Sequence, residues 1–133
     1  MGVIFDTSVI IGFERGVLDP DRLVLGRERE YFGICSITVS ELLHGVHLAD
    51  TTARRIKRSS FVEKVIENYP IFAFDLSAAR VYAQLWASLR RKKVEVGAHD
   101  LIIGATAISL GFSVATLNRR DYEKIDGLLL LRV

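Results

Sequence analysis

Short apolar runs alternate along this chain with longer segments in which apolar residues recur at helical spacing. Runs of that length predict buried strands, and the segments between them predict helices. Such an alternation is typical of a parallel sheet that is covered by helices on both faces. We therefore predict an α/β fold with a five-stranded, mostly parallel, twisted sheet. Its strands are predicted at residues 3–5, 32–37, 71–74, 112–117 and 128–131.

Polar caps and glycines mark the predicted helix ends. Asp6, Thr7 and Ser8 favour a helix start, so a helix is predicted from Ser8 to about Glu14, before Gly16. Pro20 can open a second helix that ends near Glu30. Further helices are predicted from residue 38, over 51–68, after 75, between 97 and 111, and over 119–124. With 133 residues, half of them hydrophobic, the whole chain 1–133 is predicted to form one domain.

The composition excludes several classes of protein. No apolar run approaches the roughly 20 residues of a membrane-spanning helix, and no basic region precedes the first apolar run, as a signal peptide requires. Cys35 is the only cysteine, so it forms no internal disulfide and is expected to be a buried thiol. We therefore expect a cytoplasmic protein with no membrane partner.

The charge balance by itself says little about the ligand. The net charge is +2, from 18 basic and 16 acidic residues, and the basic residues cluster at 54–58, 90–93 and 119–120. Solvated helix faces explain such clusters best, and a track for nucleic-acid phosphates is the alternative.

Four acidic residues share one topological position. Asp6 directly follows the first predicted strand, Glu41 lies four residues after the second, Asp100 opens the helix before the fourth, and Asp121 lies four residues after the fourth. In a parallel α/β sheet, ligands bind beyond the carboxyl ends of the strands. Helix N-termini there tolerate clustered carboxylates, and a hard divalent cation binds oxygen ligands of this kind.

Each of these acids also has a purely structural interpretation. Asp6 is a favoured N-cap residue, and Asp100 near a helix start suits the helix dipole. Thr38 and Glu41 have the spacing of a capping box, and Asn118 and Asp121 have that of a weaker one. Sequence spacing alone does not separate capping from metal binding.

Three further polar residues are predicted to flank the acids at the strand ends, namely Ser8, Thr116 and Asn118. As functional residues they would orient the carboxylates or a metal-bound water through hydrogen bonds. As structural residues they would form turns and caps.

The ordered set of motifs resembles the PIN domain and, within that family, the VapC-type toxins of toxin–antitoxin pairs. The matching segments are Val3-Ile4-Phe5-Asp6-Thr7-Ser8, Ser40-Glu41-Leu42-Leu43-His44-Gly45, His99-Asp100-Leu101-Ile102-Ile103-Gly104-Ala105 and Ala115-Thr116-Leu117-Asn118-Arg119-Arg120-Asp121-Tyr122. They span nearly the whole chain. The last motif commonly ends in Phe, whereas this chain has Tyr122.

The resemblance implies a function and a set of roles. Asp6, Glu41 and Asp100 match the core acids of the family, and Asp121 is the best match to its more variable fourth acid. These four would be the catalytic residues and the ligands of Mg²⁺ or Mn²⁺. The implied activity is an endoribonuclease that cuts transfer or ribosomal RNA by in-line attack of water, leaving a 5′-phosphate and a 3′-hydroxyl. The implied partners are RNA, a VapB-type antitoxin and a second copy of the chain.

Two alternatives from other functional classes remain open. Mg²⁺-dependent phosphatases share the α/β fold and an Asp-x-Ser/Thr start, but they usually have a second acid where this chain has Ser8. A PIN-like module that binds RNA or protein without catalysis is the other alternative. Loss of the acids would indicate it, and all four are present.

Overall fold

The computed structural model describes all 133 residues and contains five strands and seven helices. The strands are β1 (Gly2–Phe5), β2 (Tyr31–Cys35), β3 (Ile71–Phe72), β4 (Ser113–Ala115) and β5 (Leu130–Leu131). The helices are α1 (Thr7–Glu14), α2 (Pro20–Val24), α3 (Ser36–Leu48), α4 (Thr52–Asn68), α5 (Leu76–Arg91), α6 (Ala98–Leu110) and α7 (Arg119–Tyr122).

The sheet has the strand order β3-β2-β1-β4-β5, and all four strand pairs are parallel. This confirms the predicted α/β fold. The chain proceeds outward from β1 in one direction to β3, then returns to add β4 and β5 on the other side. The loops after β1 and β4 therefore diverge, which opens a crevice at the carboxyl ends of these two neighbouring strands.

Two separate hydrophobic cores cover the two faces of the sheet. Side chains alternate along β1, so Val3 and Phe5 lie in one core and Ile4 in the other. The first core packs against α1, α3 and α4, and the second against α5 and α6. Since β1 is buried on both faces, the position of Asp6 directly after it is well determined.

The approach of β3 to β2 depends on a glycine. A Cβ atom at Gly33 would lie 2.5 Å from the Phe72 ring and 2.7 Å from the Pro70 carbonyl oxygen. Any larger residue at position 33 would separate the two strands.

Several predicted boundaries are wrong by a few residues. The second helix ends at Val24 and not near Glu30, because Gly26 adopts a left-handed conformation with φ of 79° and breaks the helix. The last four strands are shorter than predicted because the chain turns into a loop or helix as soon as pairing stops, as at Ser36 after β2, whereas β1 begins one residue earlier than predicted, at Gly2. None of the helices combines the length and the apolar character needed to cross a bilayer.

Candidate active site

The four acids predicted from the sequence lie on four different segments around the carboxyl ends of the strands. Asp6 connects β1 to α1, and Glu41 lies in the second turn of α3, which follows β2. Asp100 is in the first turn of α6, and Asp121 is in α7, which follows β4. The chain therefore brings together residues that are up to 115 positions apart in sequence, from 6 to 121.

Asp6 is almost completely buried, with 3% of its surface exposed, and it is held by several donors. Its Oδ1 accepts hydrogen bonds from the Ser8 hydroxyl at 2.6 Å and from the Val9 amide at 3.1 Å. Its Oδ2 accepts a hydrogen bond from the Thr116 hydroxyl at the end of β4. The predicted N-cap role is therefore confirmed, and the same carboxylate is also fixed against the neighbouring strand.

Glu41 is held by residues from two other segments. The Thr7 hydroxyl donates a hydrogen bond to its Oε1 at 2.7 Å. His99 places Nδ1 3.5 Å from its Oε2. These contacts tie α3 to the start of α1 and the start of α6, which bear the other two core acids.

The capping-box interpretation of Glu41 is wrong. Helix α3 begins at Ser36, and its N-cap is Cys35, which makes no side-chain capping bond. Thr38 is therefore already inside the helix, where it is fully buried beside the Thr7 hydroxyl at 3.2 Å. Glu41 lies beyond the first turn, so a capping role does not explain its presence there.

Asp100 receives its hydrogen bond from a buried tyrosine. The Tyr122 hydroxyl donates to Asp100 Oδ1 at 3.3 Å, and only 1% of Tyr122 is exposed. The predicted placement of Asp100 near a helix start is confirmed, because it lies in the first turn of α6.

Asp121 pairs with groups on its own short helix. The Asn118 side-chain amide donates to Asp121 Oδ2 at 3.0 Å, and Lys124 Nζ lies 3.5 Å from Oδ1. The predicted capping by Asn118 is wrong, since its side chain makes no bond to the helix backbone. Asn118 instead orients the Asp121 carboxylate.

Ser8 and Thr116 join the ends of β1 and β4. Besides its bond to Asp6, the Ser8 hydroxyl accepts from the Leu117 amide at 3.0 Å. The Thr116 hydroxyl accepts from the Asn118 amide at 2.8 Å while it donates to Asp6. Both side chains therefore serve the turn structure and the carboxylate at once.

The four acids share one electrostatic environment. Burial raises the pKa of the Asp6 carboxyl, and hydrogen bonds from Ser8, Thr116 and Val9 oppose this rise. Burial also raises the pKa of Asp100, against the effect of the Tyr122 hydrogen bond, and the negative charges of Asp6, Asp121 and Glu41 raise it further. Carboxylates that repel one another in this way are stabilised by a cation.

The donor set fits a hard divalent cation. All four candidate ligands provide oxygen, and burial raises the pKa of the nearby Cys35 thiol to about 12, so it remains a neutral thiol. In their present positions, however, no three His, Cys, Asp or Glu side chains are close enough to share one ion. Binding of an ion therefore requires the carboxylates to draw closer together.

Three residues at this site were not among the predicted site residues, and one of them, His99, has its Nδ1 atom 3.5 Å from Glu41 Oε2. Thr7 and Tyr122 each donate a hydrogen bond to a candidate ligand, Glu41 and Asp100 respectively. Both lie inside motifs that the sequence displays, directly next to Asp6 and Asp121. Their adjacency to an acid was the only available signal, because their actual partners are distant in sequence.

Comparison with known proteins identifies a family and relatives over most of the chain. Residues 3–128 match the model of the PIN domain family. Ribonuclease VapC1 of Rickettsia felis is 36% identical over 100% of this chain and 97% of its own length. A Salmonella typhimurium relative named tRNA(fMet)-specific endonuclease VapC is 35% identical over 71% of this chain and 70% of its own length.

A solved structure of a toxin–antitoxin family member has the same fold as this chain. VapBC-5 from Mycobacterium tuberculosis, a member of the VapBC family of toxin–antitoxin systems, aligns with a TM-score of 0.78 at 30% identity. The alignment covers 100% of both chains.

Proposed function

Because this chain belongs to the PIN domain family and, within it, to the VapC-type toxin ribonucleases, we propose that Asp6, Glu41, Asp100 and Asp121 bind a divalent cation at which RNA is cleaved. Mg²⁺ and Mn²⁺ are the proposed ions, since both favour oxygen ligands. Asp6, Glu41 and Asp100 are the proposed core ligands, and Asp121 completes their coordination or helps to bind a second ion.

The observation that carries this proposal is the shared field of the four acids. The pKa of Asp100 responds to the charges of the other three, which come from three different segments of the chain. A protein that needed these residues only as helix caps would not have to bring their charges together. A cation at their centre offsets a repulsion that is otherwise left in the folded state.

The side chains around the acids have separable roles in the proposed reaction. Ser8 and Thr116 hold Asp6, Thr7 and His99 hold Glu41, and Tyr122 holds Asp100. A bound divalent ion would supply an activated water and charge relief at the phosphoryl oxygens. In the proposed reaction, the water oxygen would bond to phosphorus as the bond from phosphorus to the 3′ oxygen breaks. One proton of the water would be lost to solvent, the 3′ oxygen would gain a proton and leave as a hydroxyl, and the phosphate would remain on the 5′ oxygen of the next nucleotide.

The proposed substrate and partners follow from the relatives. Transfer RNA is the first substrate to test, because one relative bears that specificity in its name, and ribosomal RNA is the second. A VapB-type antitoxin is the proposed partner, given the likeness to a toxin–antitoxin structure at 30% identity. A homodimer is proposed from the family resemblance, and the exposed Leu76 and Trp86 of α5 offer apolar surface for it.

Cleavage in defined metal conditions tests the proposal. The purified chain is incubated with transfer and ribosomal RNA in Mn²⁺, in Mg²⁺ and in EDTA, with Asp100→Asn as the control. We expect cleavage by the wild type in either metal and none in EDTA or with the variant. Cleavage that persists in EDTA, or in the Asp100→Asn protein, would contradict a metal site at these acids.

Neither alternative from the sequence is favoured by a specific observation. Ser8, which occupies the position of the second phosphatase acid, donates a hydrogen bond to Asp6 Oδ1 and has no carboxyl group to protonate a leaving group. The non-catalytic binding module was expected to lack acids, and all four are present in this chain.

A further inference from the structure

A groove lined by cations from two separate helices lies beside the candidate active site. It has a volume of about 690 Å³ and runs between the ends of α1 and α3 and the start of α4. Its charged lining comprises Arg15 from the end of α1, Arg54, Lys57 and Arg58 from α4, and the acids Glu14 and Asp50. Arg15 and the α4 cations are about forty residues apart in sequence, so only the folded chain brings them together.

The groove has cations that the protein itself does not neutralise. Arg54 is paired with Asp50 at 2.9 Å, and Arg58 lies 3.7 Å from Glu14, whereas Arg15 and Lys57 form no ion pair. Four cations against two acids leave a net charge of +2 in the lining. Only two of its nine residues are hydrophobic, and with its net positive charge the lining favours a polar, anionic ligand.

The groove continues to one of the candidate metal ligands. A smaller cavity of about 70 Å³ shares Arg15 and Arg58 with the groove and also contains Glu41. The Arg58 guanidinium is close to the backbone at Gly45, where a Cβ atom would lie 3.4 Å from Nη1. The cavity that joins the groove to Glu41 is therefore lined by Arg15 and Arg58, together with Glu14 and Gly45.

RNA bound at the four acids needs such a path. A cation held by carboxylates attracts the scissile phosphate, but the carboxylates themselves repel the phosphates on either side of it. Those flanking phosphates must be bound by basic side chains away from the acids. We propose that this groove binds the phosphate backbone of the RNA strand on one side of the scissile bond, with Arg15 and Lys57 as its principal contacts. This inference rests on the proposed function and adds the path of the substrate.

Salt-dependent binding of RNA in EDTA tests the groove separately from the metal site. A short fluorescein-labelled single-stranded RNA is titrated with wild-type protein and with the double variant Arg15→Ala/Lys57→Ala, and anisotropy is measured over a range of salt concentrations. The logarithm of the association constant falls with the logarithm of the salt concentration, and each lost phosphate contact makes this slope less negative by about 0.7 for a single strand. We expect the double variant to bind more weakly and its slope to be less negative by about 1.4.

A matched control and the cleavage assay separate the possible outcomes. Arg80→Ala removes an equally exposed cation from α5 that has no ion pair and does not line the groove, and it should leave binding unchanged. If wild-type and double-variant proteins bind RNA equally, or if the substitutions weaken binding of the antitoxin only, the inference is overturned. Failure of the wild type to cleave RNA in Mn²⁺ would instead overturn the proposed metal site, whatever the anisotropy shows.

Discussion

Asp100 is the residue at which repulsion among the acids is most evident. Its pKa is raised mainly by burial and further by the charges of three neighbouring acids. A carboxyl whose pKa is higher in the folded chain than in the unfolded chain destabilises the fold above that raised pKa. The effect disappears as the pH falls below 3.8, the ordinary pKa of an aspartate, because the carboxyl becomes protonated in both states.

Replacing Asp100 by Asn should therefore abolish cleavage without destabilising the metal-free protein. At neutral pH in EDTA we expect the variant to melt at the same temperature as the wild type or higher, and the gain should shrink as the pH approaches 3.8. Thermal unfolding followed by circular dichroism at both pH values measures this. A large loss of stability at neutral pH would mean that the interaction of Asp100 with the helix terminus outweighs the repulsion.

Tyr122 provides a second prediction about a single group. Its buried hydroxyl donates a hydrogen bond to Asp100 Oδ1 at 3.3 Å. Loss of a hydrogen bond that orients a metal ligand typically weakens metal binding by about tenfold or more. We expect Tyr122→Phe to raise the dissociation constant for Mn²⁺ by about tenfold, as measured by electron paramagnetic resonance of free Mn²⁺.

Tyr69→Phe is the control for this prediction. The Tyr69 ring packs against Phe5 at 5.9 Å between centroids, and it makes no hydrogen bond to any of the four acids. It should leave Mn²⁺ binding unchanged. Equal affinities in wild type and Tyr122→Phe would show that the hydroxyl does not orient Asp100.

Among the structural elements, the junction of β1 and α1 combines a helix cap with a candidate metal ligand. Asp6 Oδ1 accepts from the Val9 amide, which an Asn side chain can also do. We expect Asp6→Asn to keep this cap bond and to have a higher free energy of unfolding in EDTA than Asp6→Ala, which loses about 1 kcal/mol from the missing cap. Both should fail to bind Mn²⁺. Chemical denaturation and Mn²⁺ titration of the two variants check these outcomes, and retention of metal binding by Asp6→Asn would contradict the assignment.

The helices and strands are predicted from the sequence more completely than the contacts between them. Apolar runs and helical spacing predict where the strands and helices lie along the chain. They also predict that the four acids lie near strand ends, because both features depend on local sequence. The start of α3 was predicted at Thr38 and lies at Ser36, since several residues in this stretch are acceptable helix starters and the local sequence does not distinguish between them. Contacts such as that of Tyr122 with Asp100 depend on the superposition of separate elements, and no local pattern predicts them.

For the whole molecule, the central position of β1 explains why the acids lie together. Strands β2 and β4 flank it, and all three run in parallel, so the segments that follow them begin at the same edge of the sheet. The same arrangement brings Arg15 next to α4 and forms the basic groove. Four acids and a groove of opposite charge lie close together, which suits a substrate whose phosphates reach a cation at one end and basic side chains at the other.

The partner predicted for the whole molecule can be tested in cells. A cluster of carboxylates attracts basic side chains, so we expect an antitoxin to place an Arg or Lys against the acids in competition with the metal. Expression of the chain alone should arrest growth, Asp6→Ala should not, and a small neighbouring gene should restore growth to the wild type. Growth that is unaffected by the wild-type chain would contradict the toxin activity, and rescue that is equally effective with an unrelated antitoxin would contradict a specific partner.

Diffraction from a crystal soaked in Mn²⁺ shows whether the four acids bind one metal centre. Anomalous scattering locates the ion without reference to activity. We expect a peak with carboxylate oxygens of Asp6, Glu41 and Asp100 within about 2.0–2.6 Å of it, and a shift of these side chains toward one another relative to the metal-free arrangement. A peak elsewhere, or no peak at these acids at an Mn²⁺ concentration that supports RNA cleavage, would contradict a shared metal centre.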